Sequence, residues 1–168
     1  SPIECFCPRI EMSEETPAFT PIDPAGFEFG IVTASYNKTL CDALQSRVCE
    51  VLNFRGIPKE VIMERVPGSH ELPAALKLML EGRPFHCLIA LGVVIKGSTS
   101  HHHLVAESAG HAIQSLVVDR GVPIINGIVV TDDLESAEKR ITGSLDRGKE
   151  FAHSALRMAQ LYEKWTKI

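Results

Sequence analysis

The sequence predicts a single α/β domain, a three-layer sandwich built on a four-stranded parallel sheet. Three observations predict it. Short β-branched runs alternate with longer stretches whose apolar residues recur at helical spacing. The run Cys87–Ile95 (CLIALGVVI) is apolar almost without a break, as expected of a strand covered on both faces. Each run ends in a polar loop that leads into a helix, the pattern of right-handed βαβ crossovers.

Residues 1–26 stand apart. Pro2, Pro8, Pro17, Pro21 and Pro24 interrupt them and Glu11, Glu14 and Glu15 add charge, so they read as an extended arm preceding a domain at 27–168. Phe27–Ala34 is then a buried strand. From Asn37 to about Phe54, Leu40, Leu44, Val48, Val51 and Leu52 fall on one helical face, and Gly56-Ile57-Pro58 ends the helix. Val61–Val66 is the second strand. Pro67-Gly68 turns the chain into a helix over His70–Leu80, closed by Gly82. Cys87–Ile95 is the third strand, followed by a helix over Ser100–Asp119 that Gly121-Val122-Pro123 breaks. Ile124–Val130 is the fourth strand, and helices over Asp133–Ile141 and Gly148–Trp165 complete the chain. Four strands make a small sheet with apolar edges that need cover, which points to pairing with another subunit or with its proline-rich arm.

Bulk properties narrow the function. A chain of 168 residues suffices for one domain with a substantial core. A formal charge of -4 argues against a general nucleic-acid binder, which carries a basic excess. No apolar stretch approaches the roughly 20 residues that span a bilayer, and the amino end lacks the basic region and apolar core of a signal peptide. Five scattered cysteines, an odd number, do not form a disulfide framework. Cys41, Cys49 and Cys87 sit in apolar periodic segments and are expected in the core, while Cys5-Phe6-Cys7 has no second ligand pair for a metal. The expected setting is the reducing, soluble cytoplasm.

In open α/β sheets the ligand lies beyond the carboxyl ends of the strands. Here those ends are Ser35-Tyr36-Asn37, Pro67-Gly68-Ser69-His70-Glu71, Lys96-Gly97-Ser98-Thr99-Ser100-His101 and Val130-Thr131-Asp132-Asp133. All four are polar or ionisable. The third leaves a buried strand, passes Gly97 and hydroxyl residues, and opens a helix whose N–H groups attract phosphate. It lacks the G-x-x-x-x-G-K-[ST] order of a Walker A loop, and simple N-capping by Ser98, Thr99 or Ser100 accounts for the same residues equally well. His101, beside this loop, suits general acid–base work near neutral pH; a surface residue at a helix start is the plainer alternative. His101, His102 and His103 point in different directions along a helix and cannot share one metal, and His103 is placed to pair with Glu107. Tyr36 could stack on a planar heterocycle. Glu71 suits either a helix dipole or ligand hydroxyls. Arg140 and Arg147 have the fork geometry for phosphate, though exposed helical arginines are common.

Three ordered motifs then acquire a joint meaning. Val66–Pro73 (VPGSHELP), Ala90–Ser108 (ALGVVIKGSTSHHHLVAES) and Pro123–Arg140 (PIINGIVVTDDLESAEKR) resemble, in the same order, the motifs of the lumazine synthase family, over most of the chain from Phe27 to Tyr162. The resemblance implies a flavodoxin-like sheet, extended by an N-terminal strand from a neighbouring subunit. It also implies condensation of a 5-amino-6-ribitylamino-pyrimidinedione with 3,4-dihydroxy-2-butanone 4-phosphate through a Schiff base, phosphate elimination and ring closure, without metal or organic cofactor. By the same resemblance Tyr36 stacks on the pyrimidine, Asn37 and Glu71 lie near the ribityl chain, and Ser69 and His70 are further substrate-binding positions. The backbone at Val94 and Ile95 holds the pyrimidine edge, Ser98, Thr99 and Arg140 hold phosphate, and His101 is the general acid–base. Arg147 stands where the family has a lysine, and Asn126 where it lends a phenylalanine to the adjacent site. The implied assembly is a pentamer or a multiple of pentamers, up to a hollow shell.

The chain departs from the family pattern at His70, His102, His103 and Asn126, and its Arg140–Arg147 segment is one residue shorter. These changes make the pocket more polar. They favour, as the second reading, a non-catalytic member that binds flavin or lumazine or serves as a shell.

Overall fold

The computed structural model describes residues 18–97 and 101–166. Its elements, in order, are β1 (Glu28–Ala34), α1 (Lys38–Leu52), β2 (Glu60–Val66), a 3-10 turn (Ser69–Glu71), α2 (Leu72–Gly82), β3 (Cys87–Ile95), α3 (His101–Arg120), β4 (Ile124–Thr131), α4 (Leu134–Ile141) and α5 (Arg147–Thr166). The four strands form one parallel sheet in the order β2-β1-β3-β4. Helices cover both faces. Phe29, Ile31, Ile89, Leu91 and Val93 pack against α1, α4 and α5, whereas Val32, Leu88 and Ala90 pack against α2 and α3. This two-sided burial explains the unbroken apolar run of β3, because neither pleat face meets water. Cys41 and Cys87 are buried as expected and Cys49 is half-buried; burial pushes all three thiols up.

Three details differ from the sequence expectations. The helix expected from His70 begins at Leu72. Before it, Glu71 N–H donates to the Gly68 carbonyl at 3.1 Å and Gly68 N–H to Glu71 Oε2 at 2.9 Å, closing a 3-10 turn. These short-range bonds take the backbone groups that an α-helical first turn would use. The outer edge of β2 is less apolar than expected: Glu60, Glu64 and Arg65 are exposed along it beside Met63, and charge of this kind discourages edge pairing. Among the described residues neither β2 nor β4 has a strand on its outer side. Finally, Glu107 faces His111 at 3.7 Å, while the His103 ring leans on His102 with centroids 3.9 Å apart.

Of the expected arm, residues 18–26 are described; residues 1–17, with Cys5 and Cys7, lie outside the described residues. The described part packs against its own chain. Phe19 stacks on His153 of α5 at 4.9 Å with planes 3° apart, and Ile22 packs on the core.

One ion pair joins the first and last helices across this face. Arg47 of α1 donates through Nε and Nη2 to Asp146, at 3.0 and 2.8 Å, at the start of α5. That forked hydrogen bond holds the Asp146 carboxyl below the usual carboxylate range. A depressed folded-state pKa stabilises the fold above the unfolded value of about 3.9, and the contribution fades as pH falls through the folded value. Asp146→Asn should therefore cost about 1–2 kcal/mol in denaturant unfolding at neutral pH, with the gap to wild type narrowing at an acid pH below the unfolded value of about 3.9. An equal gap at both pH values would contradict this role for the pair.

Candidate functional site

The site begins at a corner where β1 ends. Asn37 adopts φ 56°, ψ 49°, the left-handed region. This costs an ordinary L-residue roughly 1–2 kcal/mol, but asparagine tolerates it best among the non-glycine residues. The Asn37 Nδ2 group donates to the Val93 carbonyl of β3 at 2.8 Å. On the other side, Ser35 Oγ donates to the Val66 carbonyl at 2.8 Å. The N–H groups of Ser35 and Tyr36 both donate to the Pro67 carbonyl, at 3.1 and 3.2 Å. The buried Cys41 thiol donates to the Tyr36 carbonyl at 3.2 Å. The corner is thus tied to both neighbouring strands, and it leaves the Tyr36 ring 73% exposed.

The second wall is the 3-10 turn. Ser69 is buried against β3, where Gly92 leaves it room: a Cβ at position 92 would lie 2.4 Å from Ser69 Oγ. His70 and Glu71 are exposed on this turn, and the Glu71 carboxylate is held by Gly68 N–H. The third wall is the carboxyl end of β3 with the start of α3. Together these walls enclose a cavity of about 550 Å³ lined by Tyr36, Glu71, Val94, Ile95 and His101, among others. A cavity of that size suits a small molecule.

The cavity brings together eight residues predicted from sequence: Tyr36, Asn37, Ser69, His70, Glu71, Val94, Ile95 and His101. Ser98 and Thr99 lie outside the described residues. Three others are placed elsewhere and line no part of this cavity. Arg140 donates to the Val130 carbonyl at 2.9 Å, at the carboxyl end of β4. Arg147 pairs with Glu150 at 2.6 Å. The Asn126 side chain accepts from Ile128 N–H at 3.1 Å on β4. The cavity also includes residues that the sequence did not single out as site residues, notably Gly68, Val93, His102 and Val105. Positions 101 and 105 are one helical turn apart, so a helix beginning at about His101 carried that signal. His102 is buried at the cavity wall. Among the described residues no group of three or more His, Cys, Asp or Glu side chains is placed to hold a metal.

The family profile of 6,7-dimethyl-8-ribityllumazine synthase matches residues 26–163. The chain belongs to the 6,7-dimethyl-8-ribityllumazine synthase family. Individual members agree with the profile. A protein of that name from Paraburkholderia phymatum is 36% identical over 141 residues, covering 83% of this chain and 80% of the relative. One from Xylella fastidiosa strain M12 is 36% identical over 143 residues, covering 84% and 93%. One from Paraburkholderia phytofirmans is 37% identical over 141 residues, covering 83% and 82%. The matched span includes all eight cavity residues predicted from sequence, and also Asn126, Arg140 and Arg147.

Proposed function

We propose that this cavity condenses 5-amino-6-(D-ribitylamino)uracil with 3,4-dihydroxy-2-butanone 4-phosphate, forming 6,7-dimethyl-8-ribityllumazine, phosphate and water in riboflavin biosynthesis. The observation that carries the reading is the convergence of an aromatic platform, a fixed carboxylate, an open strand end and a histidine in one cavity. Tyr36 offers its exposed ring to the pyrimidine. The backbone of Val94 and Ile95, at the last residues of β3, offers polar groups to the pyrimidine edge. Glu71 accepts from ribityl hydroxyls, with Asn37, Ser69 and His70 beside it. His101 moves the protons that Schiff-base formation and phosphate loss require.

Phosphate has a physical reason to settle at the amino end of α3. The helix starts at His101 on the cavity wall, and the amino end of a helix carries partial positive charge. Ser98 and Thr99, which precede it in the sequence, bring hydroxyl donors. Arg140, Arg147 and Asn126 lie off the cavity of their own chain, so in this reading they complete the cavity of an adjacent copy. The assembly is then a pentamer or a multiple of it, with the arm of one subunit covering a sheet edge of the next. The working compartment is the cytoplasm. No helix among the described residues is long and apolar enough to cross a membrane. The comparisons lend no support to a non-catalytic role, and His70 and His102 make the pocket more polar without removing any of the groups named above.

Two outcomes are expected. Wild-type protein forms lumazine, followed by absorbance, well above the spontaneous rate, and His101→Ala lowers the rate by roughly 10²–10⁴-fold, the usual worth of a positioned acid–base; equal rates for the two proteins would remove His101 from the role. In solution the mass measured by light scattering is that of five subunits or a multiple of five, and an active monomer would contradict the shared site.

A further inference from the structure

Gly68 touches two groups of the cavity at once. A Cβ built on it would lie 3.1 and 3.4 Å from Cδ2 and Cε2 of Tyr36, and 3.2 Å from Oε2 of Glu71. The Tyr36 ring and the Glu71 carboxylate therefore both border the space beside the bare Cα of Gly68, while the Gly68 N–H donates to that same carboxylate oxygen at 2.9 Å. The backbone here is extended, at φ -141°, ψ 177°, a conformation open to any residue. Glycine is not required for backbone freedom at this position. What it supplies is clearance on the side that faces the cavity.

We propose that Gly68 is a positioning residue for the condensation. It sets the Tyr36 ring and the Glu71 carboxylate in register, so that one substrate meets a stacking face and a hydroxyl acceptor together. The inference rests on the reading of Tyr36 as the pyrimidine platform. A distance of 3.1–3.4 Å is tighter than ordinary carbon contacts, so one of the two neighbours must give way to a methyl group. The ring is the freer neighbour. It is 73% exposed, whereas the carboxylate is hydrogen-bonded to the turn. A side chain that moves into solvent costs the fold little but changes the pocket. Gly68→Ala should accordingly separate binding from stability.

The test is a double-mutant cycle of Gly68→Ala and Tyr36→Leu, with KM measured for each substrate separately. Gly68→Ala is expected to raise KM for the ribitylaminopyrimidine by roughly 2- to 10-fold, the size of an aromatic stacking contact. The KM for the butanone phosphate and kcat stay near wild type, and the thermal midpoint is little changed. In the Tyr36→Leu background, where no ring remains to displace, the same substitution adds almost nothing. An equal rise in pyrimidine KM in both backgrounds overturns the proposal, as does no rise in either. If Tyr36→Leu alone leaves pyrimidine KM unchanged, the platform reading falls and this inference falls with it. A lower thermal midpoint with KM rising for both substrates would mark Gly68 as merely structural. If the alanine variant does not fold, the Tyr36→Leu background decides: recovery of folding there supports a Cβ–ring conflict, and failure to fold in both backgrounds overturns the proposal.

Discussion

The left-handed corner at Asn37 is the constraint on which the site depends. A strand buried on both faces must hand the chain to a helix without leaving backbone groups unpaired. Here the reversal is made in three residues, Ser35-Tyr36-Asn37, and their hydrogen bonds run to β2 and β3 on either side of β1. The Asn37 amide is hydrogen-bonded to the Val93 carbonyl. That bond, with a net worth of about 1 kcal/mol, offsets much of what the left-handed conformation costs. Because the corner is tied on both sides, the Tyr36 ring can project 73% exposed without carrying the local fold. Platform and scaffold are separate parts of one turn.

Clearance does as much as contact. The 3-10 turn lies close on β3 because position 92 has no side chain to hold it away from Ser69. Tyr36 and Glu71 both approach position 68 because it has none. The fold thus gathers aromatic, acid and imidazole groups at one end of the sheet, where parallel strands present their carboxyl ends and α3 its amino end. Away from that end the interior is apolar, and Phe29, Leu72, Leu76, Leu88 and Ile89 are fully buried. Burial and reactivity are divided along the strand direction.

Much of this was legible in the sequence, for a physical reason. Two-sided burial writes itself as continuous apolar runs, and one-sided helical burial as a 3.6-residue period, so all four strands and five helices could be read close to their bounds. In such a sheet a ligand binds beyond the carboxyl ends of the strands, so their loops were the place to look, and the motif order supplied the rest. What escaped was tertiary. Whether Glu107 meets His103 or His111 cannot be decided by spacing, since both are four residues away. The 3-10 turn before α2 depends on where the Glu71 carboxylate points. The tie between Arg47 and Asp146 spans 99 residues, and nothing local announces it. Arg140, Arg147 and Asn126 could be read as site residues only through resemblance, because within one chain they lie away from the cavity that the other residues form.

The central claim is that one corner, one turn and one helix start build a lumazine-forming pocket that a second copy completes. It is tested most directly by a crystal structure of the assembled protein with a ribityl-bearing product analogue and inorganic phosphate. The account predicts the pyrimidine ring against Tyr36, ribityl hydroxyls at Glu71 and phosphate at the amino end of α3, with Arg140 from the adjacent copy reaching the anion. An analogue bound away from Tyr36, or a pocket in which no adjacent copy takes part, would contradict it.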